Sequence, residues 1–332
     1  MTALWVTFAG NCIFTAALTL LIPYISRPNV FFGVHVASGF RRTPDAQPIL
    51  RQYRLGVLAT TVVLFVVFEL FSQKAWPAAL PILLVAQLVS SATFFVRANR
   101  QARAYFAPQS GLREADMRGD DGLPAFLWLA VVPYFILGAV AFYLHQHWDA
   151  IPVRFPVHWD ANWNPNGWST KSFLGVYGPV LFGSGLITLI LGLGIVTFFG
   201  SRRSNTRRSV LAIILATSFF LALVFSTVGL LPLHRPHIWI TLALALVFTV
   251  VLIAWSIRKA GEPDSETEIT PDSFWYAAGS IYCNPGDPAI FVQKRIGYGY
   301  TLNFGNRWSW VFMIGFIVAI IALVTLVARA NH

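Results

Sequence analysis

Eight apolar runs, each near twenty residues long, dominate this 332-residue sequence: 3–25, 55–72, 76–96, 124–145, 173–199, 209–231, 236–257 and 308–328. A helix rises about 1.5 Å per residue, so runs of this length can cross roughly 30 Å of hydrocarbon. In that medium each backbone N–H and C=O has to be bonded within the segment, which makes the helix the expected form. The expected fold class is therefore all-α and polytopic, an eight-helix transmembrane bundle. Only 11% of residues are charged, against roughly 25% in a soluble domain.

The connections give the bundle a direction. Nineteen of the 24 Lys and Arg residues fall in 26–54, 97–123, 200–208 and 258–307. The alternate connections and the C-terminal tail hold Lys74, Arg154, Lys171, Arg235 and Arg329. Cytoplasmic loops carry the excess of Lys and Arg. That rule puts the basic connections in the cytoplasm and both termini outside, in a multi-pass protein of the cell membrane. One missed or invented helix would break the alternation. The same topology accounts for the net charge of +10, so nucleic acid is not an expected partner, whereas membrane lipid is. Residues 1–25 have no Lys or Arg ahead of their apolar run, and they read as a retained span rather than a cleaved signal. Cys12 and Cys283 fall on different levels and are not expected to pair. The chain divides into seven spans over 1–257, a cytoplasmic linker and small β-rich module over 258–307, and an eighth span with an outer tail over 308–332.

The longest polar departure on the outer side is the loop 146–172, with the stretch 156–171 at its centre. Its candidate binding residues are His158, Asp160, Asn162, Asn166, Trp168 and Lys171. Asp and Asn side chains bond to nearby backbone N–H groups, and a run of them fixes a rigid turn-rich loop. Lys171 closes it, on Asp160 or on headgroup phosphates. Val157 and Trp159 are expected to dip toward the interface, aiming His158 at the place where the fourth and fifth helices meet the loop. The spacing Asp160-x-Asn162-x-Asn164 opens like a calcium loop, but Pro165 and Lys171 stand where glycine and a bidentate Glu are needed. Six of the seven histidines lie on this side: His145, His147, His158, His234, His237 and His332. Imidazole with carboxylate suits zinc, and the metal candidates are His158, Asp160, Glu69 and His145. The plain alternative is interfacial histidines with turn-forming Asp and Asn. No cofactor is expected, with zinc as the alternative.

Inside the spans, Glu69 either acts at a site or reaches headgroups and Lys74, while Gln87 reads as a helix–helix hydrogen bond. The fifth span is rich in glycine (Gly175, Gly178, Gly183, Gly185, Gly192, Gly194), which lets helix backbones approach closely and places it at the centre. Pro133 and Pro179 are expected to kink the fourth and fifth helices beside the outer loop. Residues 43–54 either carry ordinary topology-setting arginines or form a short interfacial helix. In the module, strands at 275–282 and 290–295 flank the turn 284–288, with a further strand at 298–304 and bends at Gly297 and Gly299. Such a sheet is too small to stand alone and should dock on the helix ends. Its candidate residues are Asn284, Asp287, Lys294, Arg295 and Asn303.

Pro156, His158, Trp159, Asp160, Trp168 and Lys171, with Asn166 and Thr170 as near-equivalents, resemble the loop of bacterial membrane proteins related to the SdpI-type immunity proteins. Trp163 stands where that pattern has glycine, and Asp160 where asparagine is common. Residues 282–304, with their Tyr-x-Asn-Pro-x-Asp-Pro and Gly-x-Gly-aromatic-Thr-x-Asn-Phe elements, look like a small module found at the end of such proteins. The resemblance implies an immunity or sensor protein, not an enzyme, whose outer loop meets a peptide, toxin or envelope component. A metal-dependent membrane enzyme is the alternative. A transporter is disfavoured because the helix interiors are poor in charge. The chain has no Walker loop, dinucleotide fingerprint, Gly-x-Ser-x-Gly or His-Glu-x-x-His.

Overall fold

A computed structural model describes residues 2–72, 79–107, 122–159, 164–201, 205–234, 238–261 and 270–329. The helices are α1 (Thr2–Ile25), α2 (Ala46–Ser72), α3 (Ala79–Ala102), α4 (Val132–Gln146), α5 (Phe173–Gly200), α6 (Asn205–Gly229), α7 (Ile238–Gly261) and α8 (Arg307–Arg329). Among the described residues, seven stretches are long and apolar enough to cross a membrane. The chain is a multi-pass membrane protein. The expected span at 236–257 holds α7, whose apolar stretch among described residues is shorter, Ala243–Leu252. Large apolar side chains stay exposed along the flanks of α2, α3 and α8, as helices facing lipid require.

Two helix groups account for most of the packing. In the first, α1, α2 and α3 pack together, and Gln87 ties them. Its Nε2 donates to Cys12 O at 2.9 Å and to Thr61 Oγ1 at 3.4 Å, so the expected interhelical bond is present. In the second, α5 packs against α4, α6 and α8. Its glycines make that position possible: a Cβ on Gly183 would sit 2.6 Å from the Phe225 ring, and one on Gly185 2.7 Å from Leu323. Between the groups, α7 touches both α1 and α6.

Three local expectations are corrected. Of the two readings of 43–54 the separate helix does not hold, because α2 starts at Ala46 and runs on through it. Pro48 lies in the first turn, where its missing N–H costs nothing, and Ile49, Leu50 and Tyr53 are buried. Pro133 does not kink α4 beside the outer loop. It stands at the start of α4, after a 3-10 segment Ala125–Val131. The module is not one hairpin around 284–288. Instead β5 (Trp275–Tyr276) pairs with β6 (Ile281–Tyr282), and β7 (Phe291–Gln293) pairs with β8 (Tyr300–Leu302). Positive φ at Ala277, Ala278 and Gly279 turns the chain back early.

Two polar ends result. One carries the antiparallel hairpin β3 (Arg154–Trp159) and β4 (Pro165–Thr170). The other carries the module and a second hairpin, β1 (Val30–Phe31) and β2 (Val34–His35). The module touches the ends of several helices there. Gly297 N donates to Ser26 Oγ at 3.4 Å, Ile290 N to Gly200 O at 3.2 Å, and Trp255 meets Tyr298 edge-on at 5.6 Å. The docking expected of the module is observed, and it joins the connections richest in Lys and Arg.

Candidate functional site

The β3–β4 hairpin is held from one side. Phe155 is 2% exposed, packed with Leu144, Ile151 and Val176, whereas Val153 is 80% exposed. Lys171 N donates to Val153 O at 2.8 Å, and Ser172 caps α5 by accepting from Gly175 N at 3.0 Å. The strand thus leads straight into a helix start. The anchor is Phe155, not Val157, which is exposed.

On the open side, His158 Nδ1 bonds Asn166 Oδ1. That oxygen only accepts, so Nδ1 is the donor in this bond. Gly167 stands opposite, where a Cβ would lie 2.7 Å from His158 Cβ. The Arg154 guanidinium covers the Trp168 ring at 5.1 Å. Lys171 Nζ lies 5.5 Å from the Trp148 ring, and Trp148 stacks on Tyr177. Of the expected set, His158, Asn166, Trp168 and Lys171 are therefore on one hairpin. Asp160 and Asn162 lie outside the described residues.

Of the metal candidates, Asp160 lies outside the described residues. His145 is in the last turn of α4, and Glu69 is on α2, which packs with α1 and α3. Among the described residues no three His, Cys, Asp or Glu side chains form a group that could hold a metal ion. His147 and His234 instead attend Tyr143, whose hydroxyl is 3.0 Å from His234 Nε2.

At the opposite end the module is knotted by its own side chains. Asn303, 0% exposed, accepts from Asn284 N at 2.9 Å and Gly305 N at 3.0 Å. Its amide donates to Asn284 O, Asp287 O and Ala289 O. Asp287 accepts from Ala289 N at 2.9 Å and from the Tyr282 hydroxyl at 3.0 Å. Asn284 Oδ1 accepts from Gly286 N at 3.0 Å. These three candidates are therefore structural: they satisfy buried backbone groups where the strands are too short to do so. Lys294 is exposed, and its backbone N–H bonds Gly299 O at 2.9 Å.

Arg295 has a different role. It is buried, pairs with Asp272, donates from Nη2 to Thr270 O at 2.8 Å, and lies over the Trp275 ring at 4.8 Å. It lines a cavity of about 490 Å³ between the module, the β1–β2 hairpin and the end of α3. The Phe32-Gly33 turn of that hairpin, with φ of 46° and 79°, meets Ala278 and Gly279 of the module. Arg27 reaches across to Gln293, and Asn99 Nδ2 holds Phe32 O at 2.7 Å. His35 is 7% exposed. Burial, then the Arg295 guanidinium and more weakly Arg27, hold its imidazole far below the ordinary value, at about 4, against the opposing pull of Asp272. Sequence reasoning missed Arg27, His35, Asn99, Asp272 and Gln293. The available signal was Gly33 between two apolar pairs, the mark of a two-residue hairpin turn.

Residues 285–310 match the model of a family of unknown function, DUF5808. No curated protein and no solved structure matches the chain. The matched stretch runs from the Pro285 turn into the first turn of α8 and includes Asp287, Lys294, Arg295 and Asn303.

Proposed function

We propose that this is a bacterial cell-membrane protein of the immunity or sensor type, related to the SdpI-type proteins, whose β3–β4 hairpin meets a peptide outside the cell. In this reading eight helices span, both termini are outside, and the module is cytoplasmic. The support for orientation is the segregation of Lys and Arg to the module's end of the bundle. Cysteines at Asn164 and at Gly286, in a Cys12→Ser/Cys283→Ser background, test it with an impermeant reagent. Asn164 is expected to label in intact cells and Gly286 only after lysis. Equal labelling in intact cells rejects the orientation.

The observation that carries the recognition role is the one-sided anchorage of the hairpin. Phe155 fixes its inner face, while Trp168, Arg154, His158 and Val153 are left on or near the outer surface of a rigid support. Binding groups held by a scaffold in this way lose little freedom on meeting a partner. Cells expressing the protein should survive a challenge by membrane-active peptides to which non-expressing cells succumb. Trp168→Ala and Arg154→Gln are expected to abolish that protection at unchanged protein level. Equal survival with and without the protein across the panel overturns the reading.

A further inference from the structure

We propose that the cavity between the β1–β2 hairpin, the end of α3 and the C-terminal module is a binding site for a phosphate-bearing ligand. The cavity, about 490 Å³, is within the range of small-molecule sites. Its walls come from three separate parts of the chain, and two of them bring a guanidinium suited to this ligand. The module brings Arg295, 5% exposed. Asp272 and Thr270 O take its two terminal nitrogens, and its Nε–H has no acceptor among the described residues. An unsatisfied buried donor on a guanidinium is costly, and an oxyanion is the acceptor that such a group pairs with best.

The end of α3 adds a second guanidinium, Arg103, and the edge of Phe106. Among the described residues that line the cavity, two arginines face one carboxylate, Asp272, which is already spent on Arg295. Arg27 stands behind them, near enough to act on His35. The walls therefore favour an anion. Guanidinium groups brought by different chain segments suit a tetrahedral phosphate, which offers oxygens in several directions, better than a planar carboxylate, which a single fork satisfies. Trp275 and Phe106 supply apolar flanks for the ester portion. The cavity lies at the end of the apolar stretch Pro81–Tyr105, and the phosphate belongs either to a lipid headgroup or to a soluble ester.

The test uses the full chain purified in neutral detergent. One arm titrates inorganic phosphate and glycerol 3-phosphate by calorimetry. The other counts lipid retained, by native mass spectrometry, from nanodiscs of phosphatidylglycerol or phosphatidylcholine. Arg103 is exposed, so Arg103→Gln is expected to fold as wild type and to weaken binding about tenfold or more, the loss of one charged hydrogen bond. Arg100→Gln, three residues earlier in the last turn of α3 and not among the cavity walls, is expected to bind as wild type. Arg295→Lys keeps the charge but loses the fork, and is expected to weaken binding as well. Binding in the first arm assigns a soluble ester, and retention of phospholipid in the second assigns a headgroup. Either upholds the proposal when Arg103→Gln reduces it. No binding in both arms, unchanged binding by Arg103→Gln, or an equal loss in Arg100→Gln overturns it.

Discussion

Asn303→Ala would remove the one side chain on which the module's backbone converges. The amide oxygen accepts from Asn284 N and Gly305 N, and the amide nitrogen serves three carbonyl oxygens, all at a site with 0% exposure. Alanine leaves two N–H groups, both in part-buried bonds, without that acceptor. At about 1–3 kcal/mol for each, the expected loss is about 2–6 kcal/mol. Asn303→Asp is expected to be worse at neutral pH, since it turns a carboxylate oxygen toward three carbonyl oxygens with no cation among its bonded partners. Lowering the pH should recover part of that loss, because a protonated carboxyl can donate once. Thermal melts in detergent rank the variants, and hydrogen exchange localises the effect. The Asn284 and Gly305 amides should lose protection while the β3–β4 hairpin keeps its own. A wild-type midpoint for Asn303→Ala, with both amides still protected, would refute the account.

Asp287→Ala should cost about 1–3 kcal/mol, since the Ala289 N–H loses its acceptor, read from the same melts. Gln87→Leu should destabilise the α1–α3 group by only about 0.6–2 kcal/mol, the scale of polar contacts between membrane helices, with the loss of exchange protection confined to those helices. Gly33→Ala would put a Cβ 2.2 Å from Ala278 O at a φ of +79°, and the β1–β2 hairpin should part from the module, seen as faster exchange at 30–35 and 275–280. His35 gives a pH dependence. Its folded value of about 4 lies below the ordinary 6.5, so the unfolded chain takes up a proton that the folded one refuses. Stability is then complete above about pH 6.5 and falls by up to about 3 kcal/mol as the pH drops toward 4. His35→Asn should remove that contribution, and melts across this range check it.

The spans were legible because apolar length is a property of consecutive residues, and lipid leaves few alternatives to the helix. Gln87 was legible for a related reason: a polar group in hydrocarbon needs a partner on a neighbouring helix. Asp287 was legible as a turn acceptor, since its partner Ala289 is two residues away. The cavity was not. Arg295 and Asp272 are close in sequence, but Arg103 and Gly33 come from distant connections, and only the packing of the module on the helix ends brings them together. The β1–β2 hairpin was hidden by its brevity, because two-residue strands have no readable alternation. The fate of 43–54 turned on burial of Ile49, Leu50 and Tyr53 beneath Phe31 and Phe32, a contact that local pattern does not encode.

The module's position also has a consequence for assembly during synthesis. It bonds Ser26 and Arg27 after α1 and Gly200 and Ser201 after α5, so it bridges both helix groups. Yet it is made after seven of the eight helices. Until residues 270–306 leave the ribosome, the first and second groups can each close on their own apolar faces, with α7 touching both. The module's contacts to Ser26 and to Gly200 can therefore form together only when both groups present their ends at the same face. A nascent chain with one helix inserted in the wrong direction would present the module with half of its partners.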